Sequence, residues 1–161
     1  MDIKKHITAL GFVPKNGTNG IYHKIYVDYA IEIDFETQSI NYGSAITAES
    51  RTTQNFSQPE NFVVLECVDR LLTKGYKPQN IVLEKTWPSG HGTSGRLDIC
   101  VNREDGTPYM LIECKTFGKE YNKELARIRK DGGQLFTYFQ LSGSKADVLM
   151  LYASELKGNK F

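Results

Sequence analysis

Two stretches, GRLDICV at residues 95–101 and YMLIECKTF at residues 109–117, decide how the chain is read. Each is a run of apolar, strand-forming side chains with ionisable groups set inside it. Burying an unpaired charge is costly, so charges in such places need a partner, a metal or a function. Alternation along a strand puts Asp98 on one face with Arg96 and Cys100, and Leu97, Ile99 and Val101 on the other. It also groups Glu113 with Lys115, while Ile112 and Cys114 point away. Between the runs, NREDGTP with its Asp105-Gly106 pair predicts a tight hairpin. A hairpin brings Asp98 and Glu113 together at one end of a sheet. Two carboxylates and a peptide carbonyl, that of Cys114, form an all-oxygen site for a hard cation such as Mg2+, with Mn2+ able to substitute. Lys115 beside them would orient a water or stabilise charge on phosphorus.

Working outward, NIVLEKTW at 80–87 predicts a third strand, and PENFVVLECVDRLLTKG predicts an amphipathic helix. In the latter Phe62, Leu65, Val68 and Leu72 recur at three- and four-residue spacing between Pro59 and Gly75. Downstream, KEYNKELARIRK reads as a helix broken at Asp131-Gly132-Gly133, QLFTYFQL follows, and KADVLMLYAS at 145–154 reads as a buried strand. The order helix, three-strand meander, helix, strand predicts an α/β core with a mixed sheet flanked by helices over residues 59–157. Before it, residues 1–41 read as a β-hairpin or meander, because Ile31, Ile33 and Phe35 alternate with Glu32, Asp34 and Glu36. The polar stretch at 42–58 reads as an exposed connection.

The 161 residues carry 20 Lys and Arg against 19 Asp and Glu, a formal charge of +1. That balance argues against a free-standing, electrostatically driven nucleic-acid binder and predicts weak, salt-sensitive DNA binding by this chain alone. Cys67, Cys100 and Cys114 sit in apolar surroundings without CxxC spacing and read as reduced core thiols. His6, His23 and His91 are too far apart in sequence for a histidine cage. No apolar run reaches the ~18 residues of a membrane span, and MDIKKHITAL lacks a signal-peptide core. A cytoplasmic protein without membrane contact is expected, either complete or the first domain of something longer.

Asp98, then fourteen residues, then Glu113-Cys114-Lys115, with a helix ahead of both strands, resembles the PD-(D/E)XK nuclease superfamily. Leu97 stands where the namesake proline would be. Gln134 and Tyr138, at i and i+4 in GGQLFTYF, resemble the QxxxY motif of helicase-nucleases and Type I restriction subunits. Glu66 resembles the helix acid that completes the metal shell in some members. The wording as a whole is similar to the N-terminal nuclease domain of Type I restriction subunits, and to related restriction enzymes fused to an N6-adenine DNA methylase. The resemblance implies a restriction-endonuclease-like fold and a Mg2+-dependent endodeoxyribonuclease. In it Asp98, Glu113 and Lys115 are catalytic, with Asp98, Glu113, the Cys114 carbonyl and Glu66 on the metal. Gln134 and Tyr138 face DNA, and motor, methylase or specificity domains or subunits are partners; Arg96, by its place two residues before Asp98, is a further DNA-contact candidate.

Other readings stand beside this one. The two acids and Lys115 could form a strand-face ion-pair network, and Arg96 either touches a phosphate or pairs with Glu113. The helix KEYNKELARIRK is either solvated, with Glu120–Lys123 and Glu124–Arg127 pairs, or a phosphate-contacting face. His91 in PSGHGTSG invites a thiol mechanism, but no oxyanion-hole signature accompanies it and the loop lacks a P-loop ending. A catalytically silent nuclease-like domain that binds DNA or docks a partner is the alternative function. A nuclease for RNA or branched DNA would carry the same core motif.

Overall fold

A computed structural model describes residues 2–87, 95–158 and 160–161. Asp2 caps the first helix, α1 (Ile3–Ala9), by accepting from the Lys5 N–H. Strands β1 (Val13–Pro14), β2 (Ile21–Tyr26), β3 (Tyr29–Asp34) and β4 (Ser39–Asn41) follow as an antiparallel meander in chain order. The alternation at 31–36 is realised in part. Ile31 and Ile33 are buried inside β3, while Phe35 lies just past its end and stacks edge-on with Tyr22 and Phe56.

The second sheet runs β5 (Thr47–Ala48), β6 (Ile81–Thr86), β7 (Arg96–Asn102), β8 (Pro108–Cys114), β9 (Val148–Tyr152). Its β6–β7 and β7–β8 pairs are antiparallel, and its two edge pairs, β5–β6 and β8–β9, are parallel. The sheet is therefore mixed, with helices α2 (Glu60–Thr73), α3 (Lys119–Asp131) and α4 (Gly133–Leu141) packed against it. Gly132, at φ 85°, takes the left-handed conformation that ends α3 and starts α4.

The stretch at 42–58 departs from its reading as an exposed connection. It supplies the edge strand β5 and buries Tyr42, Ile46 and Thr53. A two-residue strand leaves no periodicity to read.

Helix α2 also departs from a simple amphipathic helix, since 11 of its 14 residues are buried. The reason is that one continuous core joins Ile31, Ile33 and Ile40 of the first sheet, Phe62, Leu65 and Val68 of α2, and Leu83, Ile99 and Ile112 of the second. Each such side chain contributes about 2 kcal/mol by leaving water. A smaller core of Val82, Leu97, Cys100, Leu111, Leu135 and Tyr138 lies under α4. All three cysteines are buried and free, as expected. Among the described residues no helix is long and apolar enough to cross a membrane.

His6 of α1 sits in the large core with its ring edge-on to Phe62 and Phe161. Burial lowers its pKa below the usual 6.5, partly opposed by the Phe62 backbone and the Glu66 carboxylate. The unfolded chain takes up a proton that the folded chain resists, so this group's cost appears as pH falls below 6.5. Thermal melts from about pH 7.5 down to about pH 5.5 should show the wild type losing Tm faster than His6→Leu. Parallel curves would contradict this assignment.

Candidate functional site

The β7–β8 ladder runs Val101↔Met110, Cys100↔Leu111, Ile99↔Ile112 and then stops. The next opposing residues are Asp98 and Glu113. Here the Asp98 side chain takes over from the ladder, its Oδ2 accepting from the Cys114 N–H at 2.7 Å. On the other side of β7, Leu83 pairs with Ile99 and Lys85 with Leu97, which leaves Glu84 opposite Asp98. Glu84 is 3% exposed and adopts φ 56°, a left-handed conformation that a residue with a side chain rarely takes inside a strand. Three adjacent strands thus each present a carboxylate at one level of the sheet.

This irregularity corrects one sequence expectation. Ile99 and Val101 pack in the large core, as alternation requires, but Leu97 packs with Cys100 in the small one. The unbridged Glu84–Asp98 level re-aims the strand start, as bulged positions do.

Lys115 follows β8 directly, its N–H held by the Tyr152 carbonyl at 2.9 Å. Its ammonium donates to Glu113 Oε1 at 2.7 Å and to the Cys114 carbonyl at 3.0 Å, and lies 3.5 Å from Glu60 Oε1 at the start of α2. Glu113 is 3% exposed, and its second oxygen, Oε2, has no hydrogen-bond partner. Burial, then the neighbouring Glu113 charge, holds the Asp98 carboxyl well above the usual carboxylate range. Burial likewise raises Glu113, with Lys115 opposing. For Lys115, burial works against the charged form, but Glu113, Asp98 and Glu60 outweigh it and raise its pKa above the ordinary lysine value.

The other sequence candidates fall in different places. Arg96 pairs not with Glu113 but with Glu84 of the neighbouring strand. Glu66 is turned away, pairing with Arg70 and accepting from the Tyr152 hydroxyl. Glu60, the first residue of the same helix, occupies the position beside Lys115 instead.

Gln134 and Tyr138 line a cleft of about 510 Å³ together with Asp98, Glu113 and Lys115. The Tyr138 ring is buried and stacked on Trp87, and its hydroxyl donates to the Arg96 carbonyl at 2.9 Å. Burial, then Glu113 and Asp98, pushes this phenol up to about 12. Tyr138 therefore anchors the entry to β7. A Cβ at Gly95 would lie 2.5 Å from its ring, which requires glycine there. Gln134 Nε2 stands 3.5 Å from the Tyr138 hydroxyl and faces the same cleft.

In α3, the Glu120–Lys123 and Glu124–Arg127 pairs both form. Glu124 does more than that pairing, since it is 2% exposed and caps α4 by accepting from the Gln134 N–H at 3.3 Å. Sequence reasoning passed over Glu60 and Glu84, and gave Glu124 only its pairing with Arg127. Glu84 alone carried a usable signal, an acid inside the apolar run NIVLEKTW like that of Asp98. His91 and its loop lie outside the described residues. Among the described residues, no group of three or more His, Cys, Asp or Glu side chains is set to hold a metal ion. The donors that fit a cation are the two carboxylates Asp98 and Glu113 with the adjoining Cys114 carbonyl, and the orphaned Glu113 Oε2 is the observation in favour.

Fold and site together define an α/β domain whose mixed sheet carries a buried glutamate, a half-buried aspartate and a lysine at one end. The chain belongs to the family of the Type I restriction enzyme R protein N terminus, whose model matches residues 59–146. That match spans α2 through α4 and includes Glu60, Glu84, Asp98, Glu113, Lys115 and Gln134. No curated protein matches the chain.

Proposed function

We propose that the chain is the nuclease part of a bacterial restriction-modification enzyme, hydrolysing DNA phosphodiester bonds with Mg2+, or Mn2+ in its place, on a restriction-endonuclease-like PD-(D/E)XK core. The single observation that carries this reading is the pairing of half-buried Asp98 with buried Glu113, whose Oε1 accepts from the Lys115 ammonium and whose Oε2 is unpartnered. Ionised together, Asp98 and Glu113 carry more negative charge than Lys115 offsets, which is why both pKa values are raised and why a bound cation would suit the pair.

Asp98, Glu113 and the Cys114 carbonyl would hold the cation. When bound, it supplies Lewis acidity toward water and phosphate. Lys115 keeps its proton among three carboxylates, so it acts as a donor that orients the attacking water and not as the base that deprotonates it. Glu60 holds Lys115 from the α2 side. Gln134 reaches the cleft from α4, and Arg96, steadied by Glu84, stands at its mouth for a phosphate of the substrate. Family membership supports DNA as the substrate and further subunits or domains, with motor, methylase or specificity roles, as partners.

A second reading, a catalytically silent domain that binds DNA or docks a partner, is favoured by the lack of a third metal-ligating side chain at the pair among the described residues. One experiment decides. Supercoiled plasmid incubated with the chain in Mg2+, Mn2+ or EDTA should be nicked and linearised only with metal, and not by Asp98→Ala prepared identically. Metal-dependent cleavage that Asp98→Ala retains would overturn the assignment of this site.

A further inference from the structure

The two sheets end in the edge strands β1, β4, β5 and β9, and the first three are closed to further pairing. Strands β1 and β5 are each two residues long, and β1 ends in Pro14. Strand β4 is covered by the loop at 54–56, with the Ile40 N–H on the Gln54 carbonyl at 3.0 Å and the Phe56 N–H on the Gln38 carbonyl at 3.2 Å. Strand β9 has none of these protections. It is five residues, VLMLY, without charge or proline, and it pairs on one side only, with β8. Leu149, at 39% exposure, is among the large apolar side chains left in water.

The open side of β9 has its bonding groups ready. The Tyr152 carbonyl accepts from the Lys115 N–H on the β8 side, so alternation turns the N–H and C=O of Leu149 and Leu151 outward. Among the described residues nothing bonds to those four groups. An antiparallel strand centred on Met150 would meet all of them, and β9 of a second copy is such a strand. Two-fold pairing about Met150 sets Leu149 of one copy against Leu151 of the other, a pair that exchanges both backbone bonds, and repeats it across the axis.

The charges flanking β9 fit the same arrangement. Pairing about Met150 sets Lys145 of each copy against Glu155 of the other, and both side chains are exposed. Glu155 has Lys157 at 3.2 Å, a surface pair that is readily exchanged. Moving the axis to Leu151 would set Asp147 against Glu155, and moving it to Leu149 would press Asp147 onto Leu151. One register is therefore favoured by charge as well as by backbone bonding.

We propose that β9 is a self-association edge, through which two copies of this chain join their five-stranded sheets into one continuous sheet. The pairing uses none of Asp98, Glu113 and Lys115 and does not depend on the nuclease reading. Because the interface is a single short strand pair, the dimer is weak and concentration-dependent.

Sedimentation velocity of the full chain from about 1 μM to about 300 μM should show a monomer–dimer equilibrium with a Kd on the order of 10 to 100 μM. Hydrogen exchange at the Leu149 and Leu151 amides should slow as the dimer fills. Leu149→Lys places a charge on the exposed edge, and should raise Kd at least about tenfold with Tm unchanged. Lys145→Glu and Glu155→Lys should each weaken the dimer about threefold or more, because like charges then meet on both sides of the axis, and the two together should restore it. A strand that was merely destabilised would not show that restoration. A chain that stays monomeric across the whole range, a dimer indifferent to Leu149→Lys, or a double variant no tighter than either single one would overturn the proposal.

Discussion

Lys115→Met should slow metal-dependent nicking by about 10³-fold while the chain stays folded. Methionine matches the stem of lysine in length but removes the ammonium bonded to Glu113 and to the Cys114 carbonyl. Glu113 then stays buried beside Asp98 without its counter-charge, which drives its carboxyl pKa still higher. Part of the loss should therefore appear as a higher metal requirement, and part as a lower rate at saturating metal. The strand register should survive, because the main-chain bond from Lys115 to Tyr152 does not involve the side chain. Lys115→Arg separates the two effects. It keeps the charge, and so should keep the metal requirement, but a planar guanidinium cannot reproduce the compact ammonium geometry and the rate should stay low. Single-turnover rates measured against Mg2+ concentration check this, and a Lys115→Met rate within about threefold of wild type would sink the proposed role.

Asp69→Ala should lower stability by about 3 kcal/mol, or roughly 9 °C in Tm for a chain of this size. Asp69 is a 6% exposed carboxylate on α2 that accepts from both the Lys24 ammonium and the Tyr26 hydroxyl of β2. Lys24 also donates to the Leu10 carbonyl at 2.6 Å, so one acid ties the end of α1, the first sheet and α2 together. Removing it leaves an ammonium and a phenol without their shared acceptor in a largely dry place. Asp69→Asn, which keeps an acceptor oxygen, should lose about half as much. A calorimetric or circular-dichroism melt gives the answer, and a shift below about 2 °C would mean that water replaces the carboxylate freely.

How far the sequence carries depends on the kind of signal. The hairpin at Asp105-Gly106 and the break at Gly132 were legible because turn chemistry is local. The grouping of Glu113 with Lys115, opposite Ile112 and Cys114, followed from strand period alone. Leu97 went to the unexpected core because it lies beyond Asp98, where the ladders to both neighbouring strands are interrupted, and nothing local in RLDI announces that interruption. Glu66 and Glu60 were exchanged for a different reason. They are six residues apart, about 240° around a helix, and only the packing of α2 against both sheets decides which of the two meets Lys115. Arg96 shows the same limit, since Glu84 on β6 and Glu113 on β8 flank its strand on either side and only the packing decides which it meets.

The two outermost strands of the second sheet have a bearing on where the chain can be divided. Residues 59–146 include neither β5 nor β9, which end the sheet on opposite sides. A fragment trimmed to those limits would bare the free edges of β6 and β8 at once, inviting intermolecular strand pairing. It would also strip α2 of the meander that covers it, and with Tyr152 it would lose the carbonyl that holds the backbone of Lys115. What recurs as a sequence unit is thus smaller than the continuous core, which draws on elements from α1 to β9.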